Sequence, residues 1–127
     1  MMKAYYDVSD QRWKDIYNKL KQHNIAVFSA GQHTGECVSE YVVVRNAGVE
    51  QLFQLSSYQV VYELLLYVPV RNYSSLDAFS QKVKAAMKEL YPMMIPLYSE
   101  IADFVDDDIK AHMRVLQYRN NRKIDNI

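Results

Sequence analysis

The segment YQVVYELLLYV, residues 58–68, decides the fold. Its side chains are apolar or aromatic on both faces of an extended chain, and Val60, Val61 and Val68 add the β-branched stiffness that favours strands. A strand apolar on both sides belongs in the middle of a sheet, with cover on both faces. Glu63 interrupts the run, and a carboxylate there needs a partner or a way out to solvent. Pro69 ends the strand.

Upstream, Val38–Arg45 reads as a strand centred on Tyr41-Val42-Val43-Val44. Asn46-Ala47-Gly48 is a turn signal, and Val49–Leu55 alternates in part before Ser56-Ser57 breaks it. Ile25–Phe28 is a short apolar run suited to a strand. Trp13, Ile16, Tyr17 and Leu20 fall at i, i+3, i+4 and i+7, which predicts an amphipathic helix over 10–22, capped by Ser9 or Asp7 and ended at His23-Asn24.

Downstream, Ser74 followed by Asp77 reads as a capping box with Asp in place of the usual Glu. Leu76, Phe79, Val83, Ala86, Met87 and Leu90 then trace a second helical stripe. Pro92 and Pro96 bracket a connector, Met93-Met94-Ile95; with Met87 these methionines read first as adaptable core, with a soft contact patch beside the two prolines as the alternative. Residues 99–123 read as a hairpin whose charge reverses. Glu100, Asp103, Asp106, Asp107 and Asp108 lead, and Lys110, Arg114, Arg119, Arg122 and Lys123 follow. On the second arm Ile109, Ala111, Met113 and Val115 share one side, read as the core side, while Lys110, His112 and Arg114 share the other. The expectation is one α+β domain over residues 1–127: an antiparallel or mixed sheet of about four to six strands with two helices on it. Residues 1–8 and 120–127 are expected as flexible ends.

Composition narrows the function. The chain has 127 residues, half of them apolar, and its fifteen basic and fifteen acidic residues cancel. A neutral domain without basic, aromatic strand motifs argues against a nucleic-acid-binding module. Eleven tyrosines suit protein interfaces. Cys37 is alone, so no internal disulfide is possible; the first residues lack a secretion signal and the longest apolar run is too short to cross a bilayer, so a reducing cytoplasm is expected.

No motif assembles chemistry. His33, Glu36 and Cys37 are too few for a metal site, and His23 and His112 belong to other elements. A small hydrolase using His33, Cys37 or the aspartates lacks a convergent set. The loop SAGQHTGE, residues 29–36, lacks the Lys-Ser/Thr of a phosphate loop. The aspartate triplet reads as a tight turn rather than a calcium or magnesium site. No catalytic residue, metal or cofactor is expected.

Tyr41-Val42-Val43-Val44-Arg45, the close Leu66-Tyr67-Val68-Pro69, Tyr73-Ser74-Ser75-Leu76-Asp77 opening a helix, and Asp107–Met113 leading to Gln117-Tyr118-Arg119 together resemble the tail-terminator (tail-completion, "minor capsid") proteins of tailed phages and prophages. The resemblance covers about residues 40–123. It implies a structural subunit, not an enzyme, that forms a ring, commonly a hexamer. The ring caps the tail tube, ends tube polymerisation and meets the head connector or, in contractile tails, the last sheath ring. Related tail-like bacteriocin particles use similar proteins without a head. The implied partners are copies of itself, the tube protein, and a sheath or connector protein, with DNA at most passing through the lumen and no membrane. The implied setting is the bacterial cytoplasm during assembly, then the particle. Another head–tail joining or head-closure protein is the alternative.

Ring contacts join two different patches, and opposite charge sets their pairing. The candidate interface residues are therefore Asp103, Asp106, Asp107, Lys110, Arg114 and Arg119. Gln32, His33, Arg122 and Lys123 are candidates for a loop or lumen surface. Some hairpin charges are also placed to pair within the subunit. Arg114→Glu is expected to weaken capping and leave the fold largely intact.

Overall fold

The computed structural model describes residues 11–33, 35–51, 57–97 and 102–123. In chain order they form α1 (Gln11–Gln22), β1 (Val27–Ser29), β2 (Tyr41–Gln51), β3 (Ser57–Pro69), a 3₁₀ turn (Val70–Ser75), α2 (Leu76–Lys88), β4 (Ile95–Leu97), β5 (Phe104–Asp106) and β6 (Ala111–Lys123). The six strands make one mixed sheet in the order β1-β2-β3-β6-β4, with β5 also on β6. β1 is parallel to β2 and every other pairing is antiparallel. The architecture is α+β, with helices packed on the sheet, and the 58–68 segment lies at its centre.

Residues paired across strands share a face, so the register defines two faces. Val42, Val44, Val60, Tyr62, Leu64, Leu66 and Val68 are buried on one of them. There they meet Ile16 and Leu20 of α1 and Leu76, Phe79, Val83, Ala86 and Met87 of α2 in the main core. Each buried Leu or Val contributes about 1.5–3 kcal/mol by leaving water. The α1 stripe is the one its spacing predicts; Trp13 and Tyr17 stack at 5.1 Å, and Trp13 Nε1 donates to the Val44 carbonyl at 3.4 Å. Asn24, in the left-handed region at φ 59°, ends the helix. The Ile25 N–H reaches the Leu20 carbonyl and the Asn24 N–H the Lys21 carbonyl, satisfying the helix's last acceptors.

Four expectations are corrected. Asn46-Ala47-Gly48 is no hairpin turn: β2 runs through it, and the register slips between Asn46 and Gly48 as a bulge. The Asn46 side chain accepts the Gly48 N–H at 2.7 Å, and Gly48 takes φ 129°, a backbone that side-chain-bearing residues avoid. The Ser74/Asp77 capping box does not form. The 3₁₀ turn runs straight into α2, the Leu76 N–H donates to the Tyr73 carbonyl, and Asp77 turns to Arg114. Ile95, placed in the connector, belongs to β4. Residues 120–123, expected in a flexible end, continue β6 against β3.

Candidate functional site

The last hairpin is a short β5, a turn at residues 107–110, and a long β6. The aspartate triplet is the expected tight turn. Asp106 Oδ1 accepts the Asp108 N–H at 3.1 Å, and Lys110 closes the turn at φ 53°. Glu100 lies outside the described residues. Among the described residues, no group of three or more His, Cys, Asp or Glu side chains could hold a metal ion.

The faces of β6 differ from the sequence reading. His112 and Arg114 lie opposite Val68 and Leu66, on the helix-bearing face. Ala111 and Met113 are buried on the other face, and Val115 is only half-buried. Farther along, Leu116 and Tyr118 supply the main core. The simple alternation fails because β6 is buried on both sides, by the helices on one and by a smaller cluster on the other.

That position puts Arg114 at the start of α2. It forks onto Asp103, with Nε to Oδ1 and Nη2 to Oδ2 both at 2.8 Å, and its Nη1 meets Asp77 at 2.8 Å. The bidentate pair holds the Asp103 carboxyl below its usual range, first through these hydrogen bonds, and raises the Arg114 guanidinium in turn. Two of the proposed interface charges are thus engaged with each other inside one subunit. Arg114→Glu would set three carboxylates together and loosen β5, so it is not a clean interface probe.

The other candidates scatter. Asp107 is exposed on the turn. Lys110 lies 3.6 Å from Glu36. Arg119 lies on the helix-free face, paired in register with Val61 and Ile95. Gln32 closes the 29–32 turn, its Oε1 accepting the Ser29 N–H at 2.7 Å. His33 stacks on Tyr41 at 4.1 Å, and Tyr41 stacks on Tyr67 at 4.9 Å. Arg122 and Lys123 fall on the last residues of β6. His33 thus lies against the sheet, and the Cys37 N–H fixes the far end of the loop on the Ile109 carbonyl at 2.7 Å.

Under that loop sits the second cluster, Cys37, Tyr41 and Ala111 with Phe28, Val43, Tyr67 and Ile109. Burial raises the Cys37 thiol, partly offset by its hydrogen bond to the Ser39 carbonyl, and raises the Tyr41 and Tyr67 phenols. Cys37 is expected to label with a thiol reagent at neutral pH at least about tenfold more slowly than in denaturant; equal rates would show that the loop does not cover it. Beside this cluster Glu63, whose side chain is 12 % exposed, finds its partners: Arg45 Nε at 2.7 Å and Gln117 Nε2 at 2.9 Å, one on each neighbouring strand.

The methionine and proline segment, read as core or as a soft contact patch, walls a groove of about 860 Å³ between the end of α2, β4 and β6 whose shape the sequence did not show. Its apolar lining is drawn partly from Met94 and from β4, and only the fold brings those residues to α2.

The sequence matches no protein-family model, and no curated protein matches it significantly. No helix among the described residues is long and apolar enough to cross a membrane.

Proposed function

We propose that this chain is a tail-terminator-type structural subunit, not an enzyme. Its copies form a ring on the end of a tail tube, stop the tube's growth and offer the next component a docking face. One observation supports the reading best. Parts of all four separated segments that carry the resemblance meet at one end of the sheet. Tyr41 pairs with Tyr67, Tyr67 with Met113 and Pro69 with Ala111. The Tyr73 ring contacts His112 at 4.5 Å, and Arg114 joins Asp77. Segments far apart in the sequence thus come together at one end of the sheet, on both of its faces, while Gln117-Tyr118-Arg119 lies farther along β6.

Tails assembled without this protein test the reading. Electron micrographs are expected to show overlong tubes, returned to uniform length when the protein is supplied. Tubes of normal length in its absence would refute the reading.

A further inference from the structure

We propose that copies of this chain join head to tail through the two ends of α2. An acidic, apolar patch beside the N-terminus of α2 on one copy seats against the basic, apolar groove beside the C-terminus of α2 on the next. The proposal rests on the ring reading above and names its interface.

The acidic patch is continuous. Val70, Tyr73 and Val105 are 43 %, 51 % and 45 % exposed, half of the exposed large apolar side chains among the described residues. Val105 is the strand partner of His112, whose ring lies against Tyr73. The Val70 N–H bonds the Lys110 carbonyl, which draws in the β5–β6 turn. Arg114 is taken up by Asp77 and Asp103, and Lys110 faces Glu36. Asp106, Asp107 and Asp108 therefore leave the turn negative, with Arg71 of the 3₁₀ turn nearby among the described residues.

The other end of α2 is its complement. The groove of about 860 Å³ is walled by Met87, Met94 and Leu97 and flanked by Tyr91, which is 64 % exposed. Lys84 and Lys88 line it, and among the described residues no carboxylate does. Methionine walls adapt to an inserted side chain, and an aromatic beside an apolar pocket is the usual anchor of a contact.

The 13 residues of α2 hold the patches about 20 Å apart on a rigid rod. A two-fold dimer through one patch alone would set acid against acid or lysine against lysine. An antiparallel two-fold pair would join both patches and stop at two copies. The ring reading instead requires head-to-tail pairing, in which each copy keeps a free patch and addition continues until the rotation closes. The occupant of the groove is therefore a second copy, through its Val105–Asp108 corner.

A mixture of unlabelled and ¹⁵N-labelled chains, cross-linked with a zero-length carbodiimide, tests this directly. Mixed-isotope peptides joining Lys84 or Lys88 to Asp106, Asp107 or Asp108 are expected. Lys84→Glu with Lys88→Glu, and separately Asp107→Lys with Asp108→Lys, should each weaken association by about tenfold or more in sedimentation. Mixing the two reversed chains should restore pairing between them, with circular dichroism confirming that each is folded. Unchanged association in the lysine-reversed chain, mixed-isotope links confined to other residues, links from the groove to the tube protein, or no mixed-isotope link either free or on tubes would overturn the proposal. The two readings separate cleanly. Overlong tubes without the protein, still capped by the lysine-reversed chain, would leave the tube role standing and refute this interface. Normal tubes with the cross-links present would do the reverse.

Discussion

Leu64→Ala is expected to lower folding stability by about 2–5 kcal/mol. Leu64 has no exposed surface, and its strand partners Val44 and Leu116 belong to the same core. Truncation removes the transfer free energy of the lost carbons and leaves a cavity between sheet and helices that strands locked on both sides cannot close. A domain of this size has roughly 5–15 kcal/mol in total, so the variant approaches the edge of unfolding at physiological temperature. Urea titration checks this. A midpoint shift worth less than about 1 kcal/mol would show that the helix layer is not packed on the centre of β3.

Arg114→Met is expected to cost about 1–3 kcal/mol, nearly all of it through Asp103. Asp77 is 85 % exposed and its limb is screened by water, whereas Asp103 is 22 % exposed and doubly bonded. The loss carries a pH signature. Asp103 titrates lower in the folded chain than in the unfolded one, chiefly because of the Arg114 hydrogen bonds. Its stabilisation is therefore complete above the ordinary carboxylate range, near pH 4, and fades as the pH falls through the folded value. The parent chain should lose stability more steeply with acid than Arg114→Met, and the two curves should converge at the lowest pH. Parallel curves would show that the fork adds no net stability. The destabilisation should appear first at β5, whose residues near the fork lose amide protection before β3 does.

Much of this fold was legible because local pattern and tertiary role agree. The Trp13–Leu20 stripe and the α2 stripe each bury what their spacing predicts, and the 58–68 strand is central as expected, but the helices cover only its Val60–Val68 face, leaving Val61 and Tyr67 on the other half-buried. Failure came where distant residues decide. Asn46-Ala47-Gly48 has turn chemistry, yet the long β3 beside it holds β2 straight and turns the signal into a bulge. The alternation in β6 pointed to one buried face, but both faces are covered, and the main core takes Leu116 and Tyr118 rather than Met113. Opposite charge in residues 103–114 was read as an interface between subunits, with some pairing inside one subunit, and Arg114 with Asp103 is such an internal pair. Sequence could not say that Arg114 would find Asp103 in its own subunit, since that depends on how β5 lies on β6. For the groove beside α2 the methionines and prolines were the local signal, but its shape was not legible because its walls come from three elements.

The pairing of β3 with β6 also constrains synthesis. The most apolar strand of the sheet emerges from the ribosome well before its second partner, which begins at residue 111. Until then β2 can guard one edge of β3 while the other is bare, and unpaired apolar edges recruit strands from other chains. Such distant contacts form slowly. The nascent protein therefore passes through a window in which aggregation competes with folding, and slow translation of residues 70–110 or chaperone scarcity would lengthen it. Yield in the cell would then be limited by completion of the chain rather than by the stability of the finished domain.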